Sequence, residues 1–216
     1  MNEQQGREAV VAAAREMERL GLNHGSAGNV SARCVARALL TPSGVASADL
    51  TPDSIARMAL DSTGSYDGPL PPSSEWRFHL DIYRARPDVV AIIHLHSPYA
   101  TTLATMRREI PACHYMIAAF GGPTVRCVDY APYGTAELSH LVVAGLEQRD
   151  GVLMANHGAI VTGDTMKRAL WRAVELEALA QVYYLAKLAG GPVILSDDEI
   201  MRTVERFRNY GPATKP

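Results

Sequence analysis

The hydrophobic residues of this chain recur with two periods, one helical and one extended. Apolar side chains spaced by three or four residues between capping residues predict five helices, at residues 7–20, 73–84, 97–105, 136–146 and 165–190. Short apolar runs rich in β-branched residues predict four buried strands, at residues 38–41, 89–96, 152–154 and 159–161. Because no linker or internal repeat divides these elements, the pattern predicts a single α/β domain over residues 1–216, with a mobile C-terminal tail from about residue 205.

Composition narrows the class of protein. The chain has 216 residues, of which 47% are hydrophobic and 20% charged, as in a globular domain that buries a real core. A formal net charge of −2 provides no basic field for nucleic acid, so no nucleic-acid partner is expected. A polar N-terminus and no long apolar run predict a cytoplasmic protein without a membrane partner. Cys34, Cys113 and Cys127 are scattered and form no CxxC pair, which predicts reduced thiols.

Four residues together suggest a metal site. His94 and His96 are one residue apart in a predicted strand, so both imidazoles should project from the same face of the sheet. His157 lies in a tight turn after another strand, and Glu75 begins a helix. Each has an ordinary structural role available, but together they form a set of three histidines and one carboxylate suited to one Zn²⁺ per chain. His79 is a competing ligand, which we interpret as a packing residue because a fourth histidine would leave less room for substrate.

Three turns built of small residues suggest a site for a phosphate. They expose backbone N–H groups and hydroxyls, and one of them stands at a predicted helix N-terminus, where anions bind well. Their residues are Gly28 and Asn29, Ser43 and Gly44, and Ser73 and Ser74. Each turn alone is more typical of an ordinary Asx-turn or helix cap than of a phosphate site. Such a cradle without lysine would fit a substrate whose other end is held by a metal.

Six ordered motifs resemble the class II aldolase/adducin superfamily, and most closely its L-fuculose-1-phosphate aldolase branch. The motifs are GLNHGSAGNVS (21–31), LTPSG (40–44), PSSEWRFH (72–79), HLH (94–96), IPACHYMIAA (110–119) and NHG (156–158). The resemblance extends from the first helix to Tyr210. It implies a nine-stranded or similar, mainly antiparallel central sheet flanked by helices. It also implies a fourfold-symmetric homotetramer with active sites at the subunit interfaces.

The resemblance also assigns roles to residues. Zinc goes to Glu75, His94, His96 and His157, and phosphate to Gly28, Asn29, Ser43, Gly44, Ser73 and Ser74. Tyr115 takes the role of an acid contributed by the neighbouring subunit, and Tyr210 that of a tyrosine on a mobile C-terminal segment. His24 stands where familiar members have Gln, and Asn156 where they have His. These differences bear on the choice of aldehyde.

The implied activity is a zinc-dependent lyase reaction on a small phosphorylated sugar. A ketose 1-phosphate, with L-fuculose 1-phosphate as the first candidate, would be cleaved to dihydroxyacetone phosphate and an aldehyde such as L-lactaldehyde. Glu75 would be the base and Tyr115 the acid at the aldehyde oxygen. The alternatives are a 5-deoxypentulose-phosphate aldolase, a ribulose-phosphate 4-epimerase, a methylthioribulose-phosphate dehydratase and a zinc hydrolase. The epimerase branch carries Asp at position 75, and no HExxH motif supports a hydrolase. A non-catalytic adducin-like binding module would lack the metal ligands.

Overall fold

The structure is a computed structural model that describes residues 2–208 of the chain. Its helices are α1 (Glu3–Arg19), α2 (Trp76–Ala85), α3 (Pro98–Thr105), α4 (Ala136–Gly145), α5 (Met166–Leu188) and α6 (Asp197–Arg208). Its strands are β1 (Asn29–Cys34), β2 (Arg37–Leu40), β3 (Ala56–Ala59), β4 (Ala91–Leu95), β5 (Arg126–Val128), β6 (Gly151–Met154) and β7 (Gly158–Gly163). Short 3-10 helices cover Ser47–Asp49, Pro52–Ser54 and Tyr115–Phe120.

The strands form one sheet in the order β3-β2-β1-β4-β7-β6-β5. All neighbouring strands are antiparallel except β5 and β6, which are parallel. The predicted single-domain α/β fold with a mainly antiparallel sheet is therefore confirmed. The described residues form seven strands, so the nine-stranded sheet implied by the resemblance is wrong in its number.

Helices cover both faces of the sheet and enclose two hydrophobic cores. Helices α1, α3 and α5 pack on one face, and α2 packs with α4 on the other. Along the central strand β4, Ile93 and Leu95 enter the first core, whereas Ile92 enters the second. This alternation places His94 on the same face as Ile92, beneath α2, where its ring makes an edge contact with Phe78.

Capping residues fix where the helices begin. The Asn2 side chain accepts from the Gln5 backbone in a capping box, so α1 begins four residues before its predicted start. Helix α2 begins at Trp76 rather than at residue 73, because residues 73–75 form a turn. Helix α6 continues to Arg208, beyond the predicted start of the tail at 205. Tyr210 lies outside the described residues.

The sequence pattern missed three strands, β1, β3 and β5. The residues of β1 (NVSARC) alternate between polar and apolar, but two of its three apolar side chains, Ala32 and Cys34, are small, so the strand signal is weak. The strand forms because β2 and β4 pair with it on both sides, and this pairing is not visible locally. In the range 2–208, no helix is both long and apolar enough to cross a membrane.

Candidate metal and anion site

The four predicted ligands converge at one end of the central strands. His94 lies near the end of β4 and His96 directly after it, and their Nε2 atoms are 2.9 Å apart. His157 projects from the turn between β6 and β7. The Glu75 carboxylate lies between these elements, with Oε2 3.1 Å from His94 Nε2 and Oε1 3.2 Å from His157 Nε2.

Close backbone packing holds these side chains in place. A Cβ atom at Gly158 would lie 2.6 Å from the Leu95 carbonyl oxygen and 2.7 Å from the His96 ring, so only glycine lets β7 approach so closely. Asn156 adopts a left-handed conformation (φ 55°), as Asn does readily, and this turns the chain so that His157 faces the other ligands.

The electrostatics of this cluster keep the carboxyl group ionised. Burial alone raises the pKa of Glu75, but the charges and hydrogen bonds of His94 and His157 outweigh burial and hold that pKa well below its usual range. Burial, together with the neighbouring His94 and His157, lowers the pKa of His96 to about 3 and outweighs the opposing effect of Glu75. A divalent cation between these groups would displace the histidine protons that face Glu75 and leave neutral imidazole ligands beside an anionic carboxylate.

The donor set fits a divalent cation. His94 Nδ1 lies 2.9 Å from the Ala159 carbonyl oxygen, so that nitrogen carries the proton and Nε2 presents a lone pair. This lone pair faces His96 Nε2 and a carboxylate oxygen, an arrangement that a cation would satisfy. Oε1 of Glu75 is buried and accepts no hydrogen bond of ordinary geometry from the described residues. The nitrogens of the three histidines lie within 4.8 Å of one another. A tetrahedral ion with bonds of about 2.1 Å requires separations of roughly 3.4 Å, so small shifts suffice.

The six predicted phosphate residues line one cleft beside this cluster. The cleft has a volume of about 370 Å³ and is lined by Gly28, Asn29, Ser43, Gly44, Ser73 and Ser74 together with Glu75, His96 and His157. Among the described residues, its lining contains no lysine or arginine. An anion would therefore be held by backbone N–H groups and hydroxyls, as an uncharged cradle requires.

A short backbone bridge joins two of the three turns. Pro42 and Pro72 face each other as an isolated antiparallel pair. Beside it, Ser43 N–H donates to the Pro71 carbonyl (3.1 Å) and Ser73 N–H to the Thr41 carbonyl (2.9 Å). The two serine turns therefore form one wall of the cleft.

The third turn is attached to the metal ligands. Gly28 has φ 70°, and a Cβ there would lie 2.6 Å from the His94 carbonyl oxygen. Asn29 pairs with His94 across β1 and β4, and its amide nitrogen donates to Glu75 Oε2 and to Ser73 Oγ, both at 3.0 Å. The anion cradle and the ligand cluster thus share a side chain.

The structure does not bring every predicted residue to this cleft. Tyr115 is half exposed and lines a different cavity of about 650 Å³, together with Trp171, Glu175 and Phe207. His24 is exposed and does not line the cleft. His79 is fully buried behind Asn29 and is not part of the ligand cluster.

Two tyrosines that the sequence interpretation overlooked lie at the mouth of the cleft. Tyr130 and Tyr133 line it from the loop at residues 129–135, with 53% and 71% of their surface exposed. A Cβ at Gly134 would lie 2.9 Å from the Ser74 carbonyl oxygen, so this loop packs closely against the serine turn. The signal in the sequence was the pair of tyrosines in a short loop containing proline and glycine.

The structure thus places a three-histidine group on a mainly antiparallel sheet, beside a cleft suited to a small anion, which is the arrangement of a metal-dependent enzyme site. The model of the Class II Aldolase and Adducin N-terminal domain family matches residues 8–184. The chain belongs to this family.

Individual relatives support the same class and differ in the named substrate. The chain is 48% identical to a 5-methylthioribulose-1-phosphate/5-deoxyribulose-1-phosphate aldolase of Rhodospirillum rubrum, over 95% of this chain and 92% of the relative. It is 44% identical to an L-fuculose phosphate aldolase of Escherichia coli, over 91% of each chain. A solved L-fuculose 1-phosphate aldolase superposes with a TM-score of 0.91 at 36% identity, covering 94% of this chain and 96% of that structure.

Proposed function

We propose that this protein is a zinc-dependent aldolase that reversibly cleaves a ketose 1-phosphate to dihydroxyacetone phosphate and a small aldehyde. One observation carries the proposal. Three of the four candidate ligands, Glu75, His96 and His157, line the same cleft as the three small-residue turns, and His94 contacts Glu75 and His96 directly. A substrate that carries a phosphate together with neighbouring carbonyl and hydroxyl oxygens matches these two groups of residues.

The chemistry follows from the groups that the cleft presents. A bound zinc ion supplies Lewis acidity toward the carbonyl and hydroxyl oxygens of the substrate. In cleavage, the C3–C4 bond breaks, its electron pair stays on the ketone fragment, and the C4 hydroxyl loses its proton to become the aldehyde. Glu75 is ionised and lines the cleft, so in condensation it is placed to remove a proton from C3 of dihydroxyacetone phosphate. In cleavage it first takes up a proton from water and then delivers that proton to C3 of the ketone fragment. The serine turns hold the phosphate and fix the distance from phosphate to C3.

One role remains, that of the acid that exchanges a proton with the aldehyde oxygen. We assign it to Tyr115 of a neighbouring subunit, because Tyr115 lies outside the cleft of its own chain and is exposed for a contact between subunits. This assignment requires an oligomer with active sites at the subunit interfaces, and we propose the homotetramer that the sequence resemblance implies. Tyr210 and a cytoplasmic location stay predictions of the sequence.

Two substrate classes have specific support. The motifs favour L-fuculose 1-phosphate, and the Rhodospirillum relative favours 5-deoxyribulose 1-phosphate and its methylthio analogue. The two classes share the phosphate, the ketone and the C3 hydroxyl, and they differ in the aldehyde released. This aldehyde would lie toward Tyr130 and Tyr133 at the mouth. A 4-epimerase is disfavoured by Glu75, and a non-catalytic binding module by the presence of all four ligands.

A panel of ketose 1-phosphates tests the proposal. Zinc-loaded protein should cleave L-fuculose 1-phosphate, 5-deoxyribulose 1-phosphate or 5-methylthioribulose 1-phosphate, and the release of dihydroxyacetone phosphate reports the rate. Glu75→Gln should lower both cleavage and proton exchange on dihydroxyacetone phosphate alone by about 10²-fold or more, as the loss of a general base does. No cleavage of any of the three compounds by zinc-loaded protein would refute the proposed function.

A further inference from the structure

A chain of buried polar side chains runs behind the cleft, from the second core to the ligand cluster. Tyr83 Oη lies 2.8 Å from Ser31 Oγ, which lies 2.8 Å from His79 Nδ1. His79 Nε2 lies 2.5 Å from Asn29 Oδ1. All four residues are buried, with at most 6% of their surface exposed. Groups buried in this way must satisfy one another, so the direction of each hydrogen bond can be worked out from one end.

The direction is set at the Glu75 carboxylate. An ionised carboxylate only accepts, so the amide group of Asn29 must turn its nitrogen, not its oxygen, toward Oε2 at 3.0 Å. The second amide hydrogen then points at Ser73 Oγ, also at 3.0 Å. The opposite orientation would place two unprotonated oxygens 3.0 Å apart in a buried site.

The orientation of Asn29 fixes the tautomer of His79. With both amide hydrogens used, Asn29 Oδ1 faces the ring and must accept, so His79 Nε2 carries the proton. Burial lowers the pKa of His79 to about 3, so the ring is neutral and its Nδ1 accepts. Ser31 therefore donates to Nδ1. Its oxygen is then the acceptor for the Tyr83 hydroxyl at 2.8 Å, a closer acceptor than the Val90 carbonyl oxygen at 3.4 Å.

The same directions leave one proton free in the cleft. Ser73 Oγ accepts from the Asn29 amide and from the backbone N–H of Glu75 at 3.3 Å. With both lone pairs of Oγ occupied, the hydroxyl hydrogen of Ser73 is available to donate to an anion in the cleft, which Ser73 lines.

We propose that His79, held in the Nε2–H tautomer, is a positioning residue that fixes the orientation of the Asn29 amide. One hydrogen of this amide then orients the Glu75 carboxylate, and the other turns the Ser73 hydroxyl toward the substrate phosphate. The roles of Glu75 and Ser73 rest on the proposed function. The inference adds that the proton-transfer end and the phosphate end are oriented by one buried chain. Asn29 acts on the phosphate through Ser73, because both of its amide hydrogens already have acceptors.

The tautomer is tested directly in the full-length, zinc-loaded protein. Long-range ¹H–¹⁵N NMR of histidine-labelled protein, with His79→Gln used to assign the signals, should show a protonated Nε2 and an unprotonated Nδ1. This state should not change between about pH 6 and pH 8, because the ring is neutral throughout. A protonated Nδ1 would mean the opposite orientation of Asn29 and would overturn the inference. This measurement does not depend on aldolase activity, so it separates failure of the inference from failure of the proposed function.

Two amide variants separate orientation from packing. His79→Gln places an N–H near the position of Nε2 and keeps the donor to Asn29, whereas His79→Asn places its amide near Nδ1 and loses that donor. We expect His79→Gln to stay within about threefold of wild type, and His79→Asn to lose about 10- to 100-fold in kcat/KM, as when a hydrogen bond to a charged group is lost.

The readouts for these variants include binding as well as turnover. His79→Asn should also weaken the binding of inorganic phosphate, because Ser73 loses its fixed orientation, while zinc content stays at the wild-type level. Equal losses in both variants, or wild-type phosphate binding in a folded His79→Asn protein, would reduce His79 to a packing residue and overturn the inference.

Discussion

The close approach of β7 to His96 gives a sharp test of the metal site. In Gly158→Ala the new Cβ would lie 2.7 Å from the His96 ring and 2.6 Å from the Leu95 carbonyl oxygen. Ordinary contact begins at 3.4 Å, so the ring and the end of β4 must retreat by about 0.7 Å. Metal–ligand distances tolerate only about 0.2 Å, so zinc affinity should fall by at least about 10- to 100-fold.

Gly163→Ala is the matched control. It lies at the other end of the same strand, and its Cβ would come within 2.5 Å of the Ala169 amide nitrogen and 2.7 Å of the Thr165 carbonyl oxygen. Both variants should lose about 2–3 kcal/mol of unfolding free energy, or roughly 5–10 °C in Tm. Only Gly158→Ala should also lose zinc affinity.

The assay is a competition titration of metal-free protein with zinc and a chromophoric chelator, with thermal unfolding measured at one fixed protein concentration. Wild-type zinc affinity in Gly158→Ala would refute the argument that β7 holds His96 in place as a ligand. A loss of affinity in Gly163→Ala as large as that in Gly158→Ala would attribute the effect to general destabilisation.

Three further predictions concern assembly, acid and thiol reactivity. Glu75→Gln and Tyr115→Phe should each be nearly inactive, but co-refolded mixtures should recover about a quarter of wild-type activity if one chain supplies the tyrosine to its neighbour's site; confirmed mixed oligomers without recovery would contradict this. The folded pKa of His79 is lowered to about 3 from 6.5, so the unfolded chain binds more protons between these values. His79 should therefore cost metal-free protein about 1.4 kcal/mol per pH unit as the pH falls below 6.5, in addition to a similar contribution from His96. Urea unfolding of His79→Gln should show a pH dependence that is shallower by the His79 share. Burial, with Asp129 nearby, raises the pKa of Cys127 to about 11. At pH 8 only about one thiol in 1,000 is then ionised, against about one in four in the unfolded chain, so iodoacetamide labelling followed by mass spectrometry should be slow until urea is added.

The sequence was informative where local periodicity determines geometry. The one-residue spacing of His94 and His96 predicts a shared sheet face, and the structure places their ring centroids 4.6 Å apart. Turn and cap signals likewise identified His157 and Glu75 as residues at element ends, although α2 begins after Glu75 rather than before it.

Local periodicity does not show which strands and side chains pair across long sequence separations. Strand β1 alternates only weakly, because Ala32 and Cys34 are small, and nothing in its own residues shows that it lies between β2 and β4. The contact between Asn29 and Glu75 joins residues 46 positions apart. His79 therefore looked like a packing residue, since only the assembled sheet shows the hydrogen bonds at both of its ring nitrogens.

The interior and the edge of the sheet contribute differently to the cleft. Asn29 on β1 and His94 on β4 lie on strands that are paired on both sides, so substitutions there disturb several elements at once. The loop with Tyr130 and Tyr133 leaves β5, the outermost strand, and reaches the cleft only at its mouth. Both tyrosines are largely exposed, so replacing them would change the shape of the mouth without moving the candidate ligands. The mouth is therefore the place to redesign the cleft for other ligands.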